Sequence, residues 1–504
     1  MHWKSFVPCS LSLSLLLAGC GDDAKQQPAD AAVPTPDTAL PIDAAPDAPG
    51  YMPPTAVPIA LSAAGPDQLQ SIIPGPANGF YLAGFFAESP TGPKSLLVIK
   101  ALANGAADKP FGNRPQDSAA DDGVAEIREL AFAGGNDEID IATQTDGKIV
   151  VSATVAHGTT ADRDIAVVRL LPTGVPDTTF GTDGISIVNL NDALDPAATP
   201  SQLDAARGIA VTDRGIFVHA LSRGLGTTRT DPDFVVVKLS LIDGSVDESF
   251  GDQSADGKKG QFRLAPPGST TKAARAIHAL ADGKLLAVGY ANSPALTIGN
   301  QPVIYKLTQD GVLDATFNPS GAVPGLFHAK VDGRQTEVYN IAIHGDKFVT
   351  GGYGGAEGST TDDFISLRFD LATGERDTTW GGAPDGIVKF DPSGSGLTSN
   401  CRGAFALPAG KTLLVGSTGG NMAPTQDAVF AVLDATGKLD TGLATYGTGI
   451  NKYKLGNDGA DQFWNAAVSG LGVVAIVGWR GVGANTPQAD GNNDNSWAVV
   501  FPAK

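Results

Sequence analysis

Between Asp137 and Leu190 the apolar residues gather into four short blocks, IDIATQ, KIVVSATV, DIAVVRLL and GISIVNL. Each is rich in Ile and Val, and Gly, Asp or Pro stands between them. Short β-branched runs with such punctuation predict strands, and four in succession predict an antiparallel meander. A lone four-stranded sheet cannot bury both faces, so it needs neighbours of its own kind. The chain supplies them.

Two markers carry the repeat. A Gly in the turn between the first two strands recurs at Gly79, Gly147, Gly215 and Gly283, in steps of 68 residues. After a shorter copy around His344-Gly345-Asp346 it returns at Gly410 and Gly472. The second marker, D-x-x-F or a variant, follows the third strand at Asp108/Phe111, Asp177/Phe180, Asp247/Phe250, Asp314/Phe317 and Asp377/Trp380, with Asp440 in a weaker copy. Gly permits positive φ in a tight hairpin, while Asp can accept turn N–H bonds with the aromatic packed beneath. Both markers read as structural.

Seven first-and-second-strand pairs follow one another, but the last unit ends at its third strand, SWAVVFPAK. An orphan strand, TAVPIALS at 55–62, precedes the first unit. The two ends complement each other, since the N-terminal strand can supply the missing fourth strand of unit seven. The expected fold is therefore all-β, a seven-bladed β-propeller over residues 55–504 whose ring the N-terminal strand closes. An open solenoid would want polar capping units at both ends, and none is visible.

The succession DGKIVV, then D, a hydrophobic run and R/K-L, then G-x-x-D-x-x-FG resembles the delta-60 repeat family of bacterial surface and secreted proteins. Units two to five match it well, and one, six and seven are degenerate. The resemblance implies a β-rich repeat architecture. It implies no shared activity and transfers no functional residue.

Ahead of the repeats, residues 1–19 combine Lys4 with the apolar run LSLSLLLAG, too short for a mature membrane span, and read as a signal peptide. Leu17-Ala18-Gly19-Cys20 looks like the lipobox of bacterial lipoproteins, in which the Cys thiol takes the lipid. Residues 20–54 then hold the lipidated Cys and a Pro/Ala/Asp-rich segment with almost no large apolar residues, expected to act as an extended tether. The address this implies is the bacterial cell envelope, lipid-anchored, at the outer membrane or cell surface.

The net charge is −19, and the body alone is near −15 once the leader and tether are set aside, which argues against a nucleic-acid partner. Cys9 and Cys20 lie ahead of the repeats, so Cys401 stands alone in the body and excludes an internal disulfide or a Cys-based zinc site. Neither a cofactor nor a metal is implied, and a monomer is expected.

Tempting motifs fail. Gly410-Lys411-Thr412 ends like a phosphate loop, but position 405 is Phe and the site is a hairpin. GLGTTR at 224–229 and GVGANT at 481–486 lack a third Gly and a following helix. Asp490, Asn492 and Asp494 begin like a calcium loop, yet Asn495 replaces the turn Gly and Phe501 the terminal Glu. No G-x-S-x-G or H-E-x-x-H occurs.

The long irregular loops, which include 154–163, 222–232, 290–302, 352–362, 417–427 and 479–495, follow second strands; inter-blade loops such as 391–399 emerge on the same face. Loop variation on one face marks either a binding surface or plain drift. The leading expectation is a non-catalytic, lipid-anchored envelope protein that binds or scaffolds a polar partner, an envelope protein or a glycan, through that face. The alternatives are a propeller enzyme, a polysaccharide lyase or hydrolase with its site at the central channel, and a calcium-dependent carbohydrate binder.

One register stands out. Eight residues before the turn Gly stand Ile139, Arg207, Arg275, Arg402 and Trp464, with Gln70 and Tyr339 in the looser copies. First strands line the channel of a propeller, so Arg207, Arg275 and Arg402 could converge there as an anion-binding collar. The plainer expectation pairs each Arg with an Asp of its own or the next blade, such as Asp204 or Asp140.

Overall fold

In the computed structural model the described residues are 56–502, leaving aside 60, 62–64, 90–91, 113–122, 129, 131–137, 157–162, 191–203, 224–230, 252–259, 294–297, 421–424, 443–448, 456–459 and 481–495. The expected signal peptide and tether, Cys20 and the acidic run at 490–494 lie outside them. The fold is the expected seven-bladed propeller: six sheets follow chain order, each a four-stranded antiparallel meander apart from a third strand split in blade five. The inner strands are Asp67–Pro74, Asp140–Thr143, Ala205–Thr212, Lys272–Ala279, Gln335–His344, Asn400–Ala406 and Gln462–Val468.

The seventh blade joins the two ends of the chain. Strand Ala56–Ile59 pairs antiparallel with Ser496–Pro502, from Ala56 opposite Val499 to Ile59 opposite Ser496. Asp67, at the start of the first inner strand, fixes the seam by accepting from the Ser496 backbone N–H at 2.9 Å and from its hydroxyl. Ala56–Ile59 lies within the predicted 55–62, and Leu61 beyond it is also buried.

Alternation along the strands explains why blades need one another. On Ile149–Ala156, Ile149, Val151, Ala153 and Val155 pack with Tyr81, Leu96 and Val98 of blade one. Val150, on the other face, packs with Ile216, Val218 and Val235 of blade three. Period-two side chains thus serve two neighbours at once, so the strand reads as a nearly continuous apolar run. Seven such cores result, one between each pair of adjacent blades, with Ile59, Leu69 and Val477 closing the last.

The D-x-x-F marker latches one blade to the next. Asp177 Oδ1 accepts from the Thr179 backbone N–H at 3.1 Å and its hydroxyl at 2.6 Å, and Arg169 donates to Oδ2 at 2.9 Å. That turn places the Phe180 ring against Gly244 of blade three, where a Cβ would come within 2.6 Å of it. Gly181 N–H then donates to Asp243 O at 2.8 Å. Equivalent backbone bonds run from Gly112 to Thr173, Gly251 to Asp310, Asn318 to Thr373 and Gly381 to Thr436. The receiving glycines, including Gly174, Gly311, Gly374 and Gly437, all have positive φ.

The hairpin glycines are less uniform than expected. Gly147, Gly283, Gly345, Gly410 and Gly472 adopt positive φ, but Gly79 has φ −84° and Gly215 is not left-handed either. In the first turn Ala77 and Asn78 take the positive angles instead, and Gly79 is needed for space: a Cβ there would sit 2.1 Å from Ala101 O.

Candidate functional site: a collar in the channel

The register eight residues before the turn Gly, taken with Gln70 and Tyr339 in the looser copies, marks a row of β-bulges. Pairing between the first and second strands skips Gln70, Arg207, Tyr339, Arg402 and Trp464 in their blades, and skips Arg275 together with Ala276 in the fourth. A bulged residue has no partner opposite it, and the extra twist re-aims its side chain. The bulges thereby bring side chains of several blades together at one level of the channel.

Blade two departs from the expectation. Ile139 is buried with Ile127, Leu130 and Ile141 in the core between blades one and two, and its N–H donates to Gln70 Oε1 at 2.7 Å. The neighbouring Glu138 reaches the collar instead. Its carboxylate is bonded by Arg275 and lies 3.5 Å from Arg207. An apolar side chain at this register gains more from the blade interface than from the polar channel, so the strand presents the residue before it.

The expected pairing of each Arg with Asp204 or Asp140 is not what forms. Asp204 accepts from Leu190 N–H at 2.6 Å, and burial pushes its pKa up to about 7. Asp140 accepts from the Ser71 hydroxyl at 2.7 Å and from Ile209 N–H at 2.9 Å. Both carboxylates bridge strands and loops of neighbouring blades. The ion pairs run across the channel, to Glu138.

Arg275 is also held by the hydroxyls of Tyr290 and Tyr339, at 2.9 and 3.1 Å. Arg402 is different. Its guanidinium lies over the rings of Tyr339, Trp464 and Tyr353, at 4.9, 5.0 and 6.0 Å from their centroids. Among the described residues no carboxylate bonds it, and its Nε is buried with no hydrogen-bond partner. Trp464 in turn packs on Trp479 at 4.9 Å, and Tyr353 on Tyr339 at 5.6 Å. Glu337 is the other carboxylate nearby, bonded by the Tyr339 hydroxyl at 3.3 Å and the Asn300 amide at 2.6 Å.

Sequence reasoning missed Glu138, Glu337, Tyr290, Tyr353 and Trp479. Counting forward from the turn Gly would have found two of them, since Tyr290 and Trp479 stand seven residues after Gly283 and Gly472. Those positions pair with residues two before the bulge, so their rings lie on the long-loop side of it.

The collar sits two to four residues into the inner strands, roughly 7–13 Å from their long-loop ends. Beyond it, toward the hairpin turns, the channel widens into a cavity of about 620 Å³ lined by all seven inner strands. Ser71, Asp140, Asn340 and Asn465 form a polar step between the two. Arg207, Arg275 and Arg402 are thus brought to one place, with aromatic faces around Arg402. Such an arrangement can hold an anion, because a guanidinium presents paired donors to carboxylate or phosphate. Among the described residues no three His, Cys, Asp or Glu side chains converge on a point that could hold a metal.

A family profile described as "Domain of unknown function (DUF5122) beta-propeller" matches residues 144–180 and 280–317, which fall in blades two and four. No curated protein matches the chain. Among solved structures it is similar to a protein of unknown function from Dyadobacter fermentans, at 13% identity and TM-score 0.42, covering 91% of this chain and all of that one. The polysaccharide lyase Uly1 is similar at 11% identity and TM-score 0.42, covering 91% and 94% of the two chains. Prolyl oligopeptidase B from Galerina marginata is similar at 14% identity and TM-score 0.41, with 83% of this chain and 48% of that one covered. Likenesses this distant carry no argument about activity. What the comparisons support is a chain built of propeller repeats, similar in two of its blades to a family of the delta-60 type.

Proposed function

We propose that the chain is a lipid-anchored, non-catalytic protein of the bacterial cell envelope whose propeller binds a polar partner at the face carrying its long loops. One observation carries this reading: Arg402, set among aromatic rings within reach of that face, has no carboxylate partner among the described residues. Its charge is offered to something outside the fold. The lipobox-like Cys20 and the tether at 21–54 support an anchored display of the propeller away from the membrane.

The enzyme reading, a lyase or hydrolase at the channel, needs an acid or base that titrates near the working pH. Burial pushes the hydroxyls of Tyr290 and Tyr353 up, which suits them to donating hydrogen bonds rather than to removing protons. A calcium-dependent carbohydrate binder rests on the acidic run at 490–494, outside the described residues.

Purified protein mixed with acidic and neutral envelope polysaccharides should retain a subset of them without releasing new reducing ends or unsaturated products. Turnover of any polysaccharide would overturn the non-catalytic reading. Separately, Cys20→Ser should move the protein from the membrane fraction to the soluble one. Continued membrane association in high salt would remove the anchor.

A further inference from the structure

The collar is uneven, and its unevenness says what it takes. At the Arg207 and Arg275 end a carboxylate is already in place, Glu138, bonded by one guanidinium and 3.5 Å from the other. At the Arg402 end the corresponding anion is absent among the described residues, and the space around the guanidinium is bounded by rings. Arg402 thus holds one positive charge that no carboxylate among the described residues bonds. A monoanion would balance that charge, whereas a phosphate dianion would bring in a second, unmatched one.

The walls add a second constraint. Tyr339, Tyr353 and Trp464 present faces around Arg402. An aromatic face favours the polarised C–H face of a sugar ring or another flat ring, and disfavours a small, fully hydrated ion. Gln68 and Gln462 stand two residues before the bulges of their blades, toward the loop side, and Gln462 Oε1 is buried with no hydrogen-bond partner among the described residues. An unmet acceptor beside the collar calls for a hydroxyl donor. Carboxylate, ring and hydroxyl together describe one ligand class.

We propose that the Arg402 end of the collar binds a ring-borne carboxylate, the uronic acid residue of an acidic glycan. Arg402 takes the carboxylate, the parts of Trp464 and Tyr353 left outside their packing on Trp479 and Tyr339 take the ring, and Gln462 accepts from a hydroxyl. This rests on the reading of the long-loop face as a binding surface and names what enters there.

The test uses the purified full chain and tryptophan emission, since Trp464 lies within 4.9 Å of Trp479 and both border the site. A galacturonate tetramer should shift the emission saturably. Its methyl ester, which keeps the rings and removes the charge, should bind at least about tenfold more weakly, as one lost charge-assisted pair implies. Arg402→Gln should reduce galacturonate binding by a similar factor while leaving the melting temperature unchanged. If Arg402→Gln fails to fold, Trp464→Leu should weaken both the tetramer and its ester. Equal binding of acid and ester, or undiminished binding by Arg402→Gln, overturns the assignment. Tighter binding of inorganic phosphate overturns the monoanion argument, and binding of benzoate without galacturonate overturns the sugar. Retention of neutral glycans by both wild type and Arg402→Gln would leave the broader reading of the face standing and remove this one.

Discussion

The latch and the collar are built from the same repeat and behave in opposite ways. At the latch, five blades in succession place an aromatic ring under the next blade's turn glycine and close the contact with one backbone bond. At the collar, the bulge before the same kind of turn delivers Gln, Arg, Tyr or Trp. A position that does one job in every blade answers to packing. A position where each blade contributes different chemistry to a shared space answers to what occupies that space. Within a single chain, the repeat acts as its own control.

The largest test concerns the seam, where the strand from the N-terminal side closes the ring. Removing residues 55–64 deletes Ile59 and Leu61 from the last core and exposes the edge of Ser496–Pro502. The loss should be on the order of 5–10 kcal/mol, from two buried aliphatic side chains and a strand's pairing. The truncated protein should melt at least about 5 °C lower and self-associate. An unchanged, monomeric melt would mean that the other six interfaces hold the ring without it.

A pair of substitutions sharpens the contrast between latch and collar. Phe250→Ala empties the space under Gly311 and should cost about 3–5 kcal/mol while leaving galacturonate binding intact. Arg402→Gln should do the reverse, with a stability change well below that of Phe250→Ala, since it removes contacts to ring faces and fills no core. Comparable destabilisation by both would make the collar another structural device.

The legibility of these parts in the sequence differs for physical reasons. Blades, their number and the closing strand follow from apolar periodicity and from one missing strand, and both are local features of the chain. The collar register was found by counting back from Gly, without knowledge that it marks a bulge, because a bulge depends on how two strands pair. Glu138 was missed because Ile139 stands at the counted position, and an apolar side chain there turns into the blade interface. The Asp204 and Asp140 pairings were misjudged because nearness along the chain suggested them. Those carboxylates serve backbone N–H groups across blades, while Arg275 reaches a carboxylate 137 residues away.

The smallest effect is one of acidity. Asp204, three residues before Arg207, has its folded pKa pushed up to about 7, chiefly by burial. A raised carboxylate pKa contributes stability that is full below about 3.8 and is lost as pH rises through about 7. Asp204→Asn, permanently neutral, should therefore melt above wild type at pH 8, with the difference gone near pH 4. The latch carboxylate Asp247 has the opposite sign: Lys238 and Ser249 hold its pKa down to about 2. Its contribution is present above about 3.8 and fades as pH falls toward 2. Scanning calorimetry from pH 3 to 8 on wild type, Asp204→Asn and Asp247→Asn separates the two. Parallel curves for all three would show that neither group carries its assigned shift.

The pairing of Ala56 with Val499 joins positions 443 residues apart. A chain made from its N-terminus offers Ala56–Ile59 first and its partner strand Ser496–Pro502 only after all the other blades. Until then Ala56–Ile59 has no partner strand, and the face of blade one built from Leu69, Ile72 and Phe80 has nothing to cover it. Blades two to six can latch in order as they emerge, each held by the one before. The finished ring, by contrast, waits on Ser496–Pro502, so a chain halted short of those residues would be left with an open edge however well its other blades had formed.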